Sequence, residues 1–407
     1  MKVLYYHQHF STPAGAASNR SYAMAQHLIA QGHDVTIVCG SYAVGQSGLR
    51  GNFQEGKREG VVDGIHVIEL ELPYSNSDSF PRRTWIFIKF ALRSTQIALQ
   101  HDYDLVFATT TPLTAGIPGI FARWLRRKPF IFEVRDLWPE LPRAMGVIRN
   151  PLLLGVMSLL EWISYHAADR LVGLSPGIVE GIAKRGIDPQ RIRMIPNGCD
   201  LDIFATSVTP WRPEGVSDSD LMAIFTGSHG IANGLDAVLH AAIELKRRNY
   251  NHIKIVLIGD GKLKKQLIEF ATSNHLDNVI FHAPVPKTRL AGLMAAADVG
   301  MQILANVPAF YYGTSPNKFF DYIAAGLPVL NNYPGWLADM ITTHQCGYAV
   351  PPDDPVAFAD ALMRAAAHPE ERVAMGRNAR QLANQEFART KLAEQFVRWL
   401  ESVQAAC

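Results

Sequence analysis

Of 407 residues only four are cysteine, at positions 39, 199, 346 and 407, and no two of them form a C-x-x-C pair. That scatter argues against a disulfide framework or a zinc site and points to a reducing compartment. An excess of either charge is also missing: 39 Lys and Arg stand against 37 Asp and Glu, a net charge of +2. The whole molecule is therefore not a polyelectrolyte binder, and no nucleic-acid partner is expected. Long apolar runs are missing too. The richest, "PLLLGVMSLLEW", falls short of the roughly 18–20 residues a spanning helix needs, and "MKVLYYHQHFSTPAG" at the amino terminus has no apolar leader core. The expectation is a cytoplasmic protein whose membrane contact, if any, is peripheral. What the chain has in quantity is core: 48% apolar and 19% charged residues, enough for two or three domains.

The apolar residues are grouped in two similar series. "KVLYYH", "HDVTIVCG", "DLVFATT", "KPFIFEVRD", "RLVGLS" and "IRMIPNG" are short β-branched runs, separated by helical patterns such as "AASNRSYAMAQHLIAQG" and "TAGIPGIFARWLRR". From Leu221 the alternation restarts with "LMAIFTG", "IKIVLIGDG", "NVIFHAPV", "ADVGMQIL", "LPVLNN" and "GYAVPP". Strand–helix alternation of this kind indicates parallel βαβ units. The fold class is thus α/β, with two Rossmann-like domains facing each other across a cleft between their carboxyl-terminal strand edges. The boundaries read as 1–205 and 219–388, joined by the aperiodic "DIFATSVTPWRPEGVSDSD", with residues 389–407 a final helix returning to the first domain.

Several loops have the chemistry of an anion site. "SPNKFFDYIAAGLPVL" opens a helix with Ser315, Asn317 and Lys318, where free backbone N–H groups and a mobile cation would attract an anion. Asp321, one turn later, is able to accept two ribose hydroxyl hydrogens. A capping Ser315 beside a solvated Lys318–Asp321 pair explains the same residues equally well. "IGDG" places Gly259 and Gly261 after a strand, and "TGSHGIANG" places Gly227, Ser228 and His229 in the first strand-to-helix loop of the second half. Gly15 and Ser18 occupy the matching loop of the first half.

Taken together, "IPNGCD", "FTGSHGIANGLD", "VLIGDG", "NVIFHAPVPKTRLAGLMAAADVGM" and "SPNKFFDYIAAGLPV" resemble, in order and spacing, glycosyltransferase family 4. This family has the GT-B fold and retains anomeric configuration; the resemblance is nearest to the branch that builds bacterial O-antigen and capsule with N-acetyl-aminosugars. The resemblance implies a UDP-sugar donor, a polyprenyl-diphosphate-linked saccharide acceptor and no metal or other cofactor. It places Asp321 on the ribose, Lys318 on the diphosphate, the backbone of Val285 at the base and Asp136 of "FEVRDLWPE" at the acceptor hydroxyl, with Arg135 a competitor for that position. Asp136 as a helix N-cap is the structural alternative. Gly313 stands where the family carries a donor-sugar glutamate, and the usual Arg and Lys of the first loop are absent. These departures keep a non-catalytic partner subunit as a rival reading; a nucleotide-sugar 2-epimerase of the same fold is the other, and Gly313 in place of an acid argues against it.

Two further features remain. Residues 81–128 hold eight Lys or Arg against two acids, net +6, interleaved with Trp85, Phe87, Phe90 and Trp124. A basic aromatic stretch of this kind suggests a peripheral contact with the anionic inner face of a membrane. Asp102 and Asp104 form a D-x-D pair, but at the amino end of a strand, where capping and solvation explain them without a metal.

Overall fold

The computed structural model describes residues 1–15, 18–75, 78–204 and 208–404. The chain divides into two compact units, the first made of residues 1–197, 313–315 and 390–407, the second of 198–312 and 316–389. The expected boundary at residue 205 lies outside the described residues. The change of unit comes earlier, after Asn197, because Cys199 bonds through its main chain to Phe387 and Arg389 at the end of the second unit. Nor is the segment after residue 207 a free linker: the Trp211 indole donates to the Arg289 carbonyl at 2.8 Å and docks on a second-unit helix.

The first unit is built on an eight-stranded sheet. Its strands are β1 (Lys2–Tyr6), β2 (Asp34–Tyr42), β3 (Lys57–Val62), β4 (Ile65–Tyr74), β5 (Leu105–Thr109), β6 (Phe130–Val134), β7 (Arg170–Gly173) and β8 (Ile192–Met194). The order is β3-β4-β2-β1-β5-β6-β7-β8, parallel except for the β3–β4 pair. Every residue of β5 and β6 is buried, as strands covered by helices on both faces must be. The crossovers from β4 to β5, β5 to β6 and β6 to β7 all run the same way along the sheet. Right-handed connection therefore lays helices Phe80–Gln100, Ile117–Arg126 and Pro151–Ala167 on one face. The first helix, Arg20–Ala30, crosses in the opposite sense to the other face. The last helix, Arg389–Gln404, packs on this sheet: the Phe396 ring meets Phe107 edge-on at 4.9 Å, and the Trp399 indole donates to Leu171 O. The hairpin β3–β4 is absent from the sequence-based account, although its Asp63-Gly64 turn, with φ of 50° and 82°, is the usual two-residue hairpin signal.

The second unit has six strands, β9 (Leu221–Thr226), β10 (Ile253–Ile258), β11 (Val279–His282), β12 (Val299–Gln302), β13 (Val329–Asn331) and β14 (Gly347–Ala349). All pair in parallel, in the order β11-β10-β9-β12-β13-β14. The order reverses between β9 and β12, and in the first unit between β1 and β5. In sheets of this type the loops at the carboxyl ends beside such a reversal are where ligands bind.

Candidate active site

In the second unit the helix Asn317–Ala325 anchors the candidate donor side. Phe319, Phe320, Tyr322 and Ile323 are buried. Tyr322 Oη accepts the Thr226 N–H at 3.0 Å and its hydroxyl donates to Ile224 O, clamping the helix to β9. Gly326, in the left-handed region at φ 74°, closes the helix by returning its N–H to Ile323. The N-cap is Pro316, with no side-chain cap. Ser315 is not the cap: its hydroxyl oxygen accepts the Asn197 N–H at 3.0 Å and its carbonyl accepts the Asn197 amide at 2.6 Å, contacts within the first unit. The capping alternative for Ser315 is corrected accordingly, while the hydroxyl keeps its own hydrogen to donate.

Lys318 points to the carboxyl end of β9. Its Nζ donates to Asn233 Oδ1 at 2.8 Å and sits 4.3 Å from the Phe225 ring centroid. Burial, with no carboxylate partner among the described residues, brings its pKa down to about 7. Asn233 in turn donates to the Ser228 carbonyl at 2.7 Å, holding the loop whose Gly227 and Ser228 are exposed. Asn317 is exposed at the helix start, and Val285 lies partly exposed in the loop after β11.

His229 differs from expectation. It is fully buried with neither ring nitrogen bonded among the described residues, between the rings of Phe225 and Phe281. Burial, aided by Lys264, lowers its pKa to about 4, so at neutral pH it carries no charge for an anion. Its main chain matters more: a Cβ on Gly261 would lie 2.7 Å from the His229 backbone, and one on Gly259 1.8 Å from Gly227 O. These glycines are explained by close packing of the β10 loop on the β9 loop, whatever either loop binds. Gly15 is likewise explained locally, since a Cβ there would meet Ser11 Oγ at 2.2 Å. The Ser18 hydroxyl oxygen accepts the Arg20 N–H at 3.4 Å.

Asp321 does not stay beside Lys318. Its carboxylate pairs with Lys287 at 3.1 Å, and Lys287 also pairs with Asp200, which is bonded to Arg389. Burial pushes Asp321 up, with Lys287 only partly offsetting it. For Asp200 burial is outweighed by Arg389 and Lys287, which hold it at about 2. Asp200, Lys287 and Arg389 escaped the sequence reading, because residues so far apart in the chain give no local signal.

In the first unit Asp136 lies just beyond β6 and accepts from Thr111 Oγ1 at 3.3 Å. Burial raises its pKa, and Arg135 lowers it in part. The N-cap of the next helix is Pro139, so Asp136 does not cap. Arg135 is turned to His7, 3.3 Å from Nε2. His7 Nδ1, both ends of the Gln8 amide and His9 Nε2 are buried without a hydrogen-bond partner among the described residues. These groups gather at the carboxyl end of β1, beside the reversal, and were not anticipated. Buried polar atoms left unpaired are costly, and a hydroxyl-rich ligand would satisfy them. Asp102 and Asp104 lie at the other end of the sheet, bonded to the Lys2 side chain at 2.6 Å and the Lys2 main chain at 2.7 Å.

Residues 15–198 match the glycosyl transferase 4-like domain, and residues 210–382 match the glycosyl transferases group 1 family. The chain belongs to the family-4 glycosyltransferases. Among curated relatives, a D-inositol 3-phosphate glycosyltransferase of Xylanimonas cellulosilytica is 29% identical over 48% of this chain and 48% of its own. A D-rhamnosyltransferase, WbpZ of Pseudomonas aeruginosa, is 26% identical over 57% of this chain and 59% of its own. The chain thus spans about half the length of the curated relatives it matches. Among solved structures, sucrose-phosphate synthase from Thermosynechococcus elongatus superposes with a TM-score of 0.75 at 18% identity, covering all of both chains. That likeness establishes the GT-B fold for this chain. Of the expected site residues, the fold groups Gly227, Ser228 and Lys318 around the carboxyl end of β9, groups Asp321 with a separate charge cluster, and puts Asp136 at the carboxyl edge of the first sheet.

Proposed function

We propose that this chain is a retaining glycosyltransferase that moves a sugar, an N-acetyl-aminosugar by its resemblance, from a UDP-sugar to a lipid-linked saccharide in bacterial surface-polysaccharide synthesis. The observation that carries the reading is Lys318. Its side-chain nitrogen sits at a helix start, beside the exposed Gly227–Ser228 loop at the strand-order reversal, with no carboxylate partner among the described residues. In the reaction the bond from the anomeric carbon to the diphosphate breaks, and a bond from the same carbon to the acceptor oxygen forms on the same face. Negative charge develops on the departing UDP, and Lys318 with the helix-start and loop amides stabilises it. Asp136, whose raised pKa makes it a better base than an ordinary aspartate, orients the acceptor hydroxyl and receives its proton or passes it to the diphosphate. Asp321 holds the ribose through the carboxylate oxygen turned from Lys287. No step calls for a metal. The protein works at the inner face of the cytoplasmic membrane, where a polyprenyl-diphosphate acceptor is found.

A thermal-shift screen of UDP and other nucleoside diphosphate sugars, followed by UDP-release assays with lipid-linked acceptors and with chelator, tests this. UDP-sugars are expected to stabilise the protein and release of UDP to require acceptor. Stabilisation by no nucleotide sugar would refute the reading, and loss of activity on chelation with rescue by Mg or Mn would refute its metal-free form.

A further inference from the structure

More than half of the exposed large apolar side chains among the described residues fall between Phe80 and Trp162. All of these but Val147 belong to the three helices that share one face of the first sheet, Phe80–Gln100, Ile117–Arg126 and Pro151–Ala167. Each helix exposes a tryptophan: Trp85 at 56%, Trp124 at 61% and Trp162 at 47%. On the third helix Leu152, Val156, Leu159 and Trp162 recur at helical spacing as an outward stripe. That helix has a single acid, Glu161, which is buried and paired with Arg185 at 2.6 Å. Isolated exposed leucines need no explanation, but a contiguous apolar face does.

The basic stretch identified in the sequence supplies less charge than its count suggests. Arg123 is paired with Asp169 at 3.0 Å, Arg82 with Asp78 at 3.3 Å, and Arg93 and Arg126 donate to main-chain carbonyls. Of the exposed cations near the face, Lys89 lies on the first helix, Arg127 caps the second and Arg149 just precedes the third, while Arg143 shares the short helix Glu140–Ala144 with an exposed acid, Glu140. No exposed Asp or Glu lies on any of the three helices.

We infer that this three-helix face docks on an anionic bilayer surface, with the stripe of helix Pro151–Ala167 entering the headgroup–acyl boundary and the flanking cations meeting lipid headgroups. The inference deepens the proposed function, resting on its lipid-linked acceptor, and places the contact partly outside residues 81–128. A second copy of this chain is the less suitable occupant, because stacking two such faces brings cationic rims together with no exposed acid on these helices to answer them. A bilayer satisfies both features: tryptophan favours the interface, and the surface potential of anionic lipid attracts each flanking cation.

Flotation of the full chain with vesicles of phosphatidylcholine, or of equal parts phosphatidylcholine and phosphatidylglycerol, at low and high salt tests the inference. The wild type is expected to float with the anionic vesicles and to retain a salt-resistant fraction. Changing Lys89, Arg127, Arg143 and Arg149 together to Ser is expected to lower anionic partitioning by roughly tenfold or more. Changing Leu152, Leu159 and Trp162 to Ser is expected to remove the salt-resistant fraction while leaving UDP affinity at the wild-type value. Quenching of wild-type tryptophan emission by brominated phosphatidylglycerol needs no variant and reads insertion directly. The inference fails if the wild type ignores lipid, if emission is not quenched, or if the chain sediments as a dimer that the apolar variant dissolves. UDP binding in lipid-free buffer is independent of these outcomes, so the donor reading stands or falls separately.

Discussion

Arg20 and Glu133 meet at 2.7 Å in the core of the first unit, and neither side chain is accessible to solvent. Arg20 also donates to Ile195 O at 2.9 Å and Pro196 O at 2.6 Å, while Thr109 Oγ1 donates to the other Glu133 oxygen at 2.7 Å. One guanidinium thereby ties the first helix, β6 and the end of the β8 strand together. Burial favours neutral Glu133, but Arg20 outweighs it and holds the carboxyl below its ordinary range.

Breaking this pair from one side leaves a buried charge without its partner, at a cost of about 3–5 kcal/mol. Arg20→Met is expected to lose stability of that order in urea unfolding, with Glu133→Leu recovering part of it in the double variant. A single-variant loss below about 1 kcal/mol would show that the pair is not a determinant of the fold.

The Asp200–Lys287–Asp321 cluster predicts an acid limb in stability. Asp200 titrates near 2 in the folded protein against 3.8 ordinarily. Its contribution is therefore complete above about pH 4 and is lost as pH falls toward 2, about 2 kcal/mol in all. Asp321, raised by burial, works in the opposite sense at neutral pH. Asp200→Asn is expected to unfold at lower urea at pH 7 and to show a shallower decline between pH 4 and pH 3. An acid limb as steep as the wild type's would assign it to other groups.

Lys318 predicts how UDP affinity depends on pH. Its free-protein pKa near 7 means that about half the molecules lack the cation at neutrality. A bound diphosphate raises that pKa, so binding takes up a proton and affinity falls as pH rises above about 7, by up to tenfold per unit. Lys318→Ala is expected to cost about 1.5–3 kcal/mol at pH 6 and to flatten the profile. Calorimetry in buffers of different ionisation enthalpy reads the proton directly, and a wild-type profile flat from pH 6 to 8 would exclude the lysine from the diphosphate.

Asp136 predicts a separation between binding and turnover. Asp136→Asn keeps the hydrogen-bond acceptor for Thr111 but removes the base, so UDP affinity is expected to match the wild type while UDP release with acceptor drops about 100-fold or more. Equal loss of both would mean that the residue supports the fold around Arg135 and His7.

Chain order and period carried most of the architecture. Twelve strand segments were readable because a strand buried on both faces must be a short β-branched run, and "AAG" marked the helix end that Gly326 closes. The place of Lys318 at a helix start was legible from the local pattern, and that of Asp136 past a strand end from the family resemblance; the role of each is for the experiments above to decide. The β3–β4 hairpin escaped because its outer strand alternates exposed and half-buried residues, leaving a weak apolar pattern at a sheet edge.

Sequence alone therefore determined the two parallel-sheet units, the family and the cation at the start of helix Asn317–Ala325, since these depend on local periodicity and on motifs read within a few residues. Only the tertiary structure decided where the charges went. It gave Asp321 to Lys287, Ser315 to Asn197, Arg20 to Glu133 and neutrality to His229. It also gathered Trp85, Trp124 and Trp162 on one face of the first sheet. The physical reason is that an ion pair or an exposed face is fixed by which distant segments are brought within a few ångströms, and by how completely water is excluded there. Neither quantity has any trace in the local order of residues.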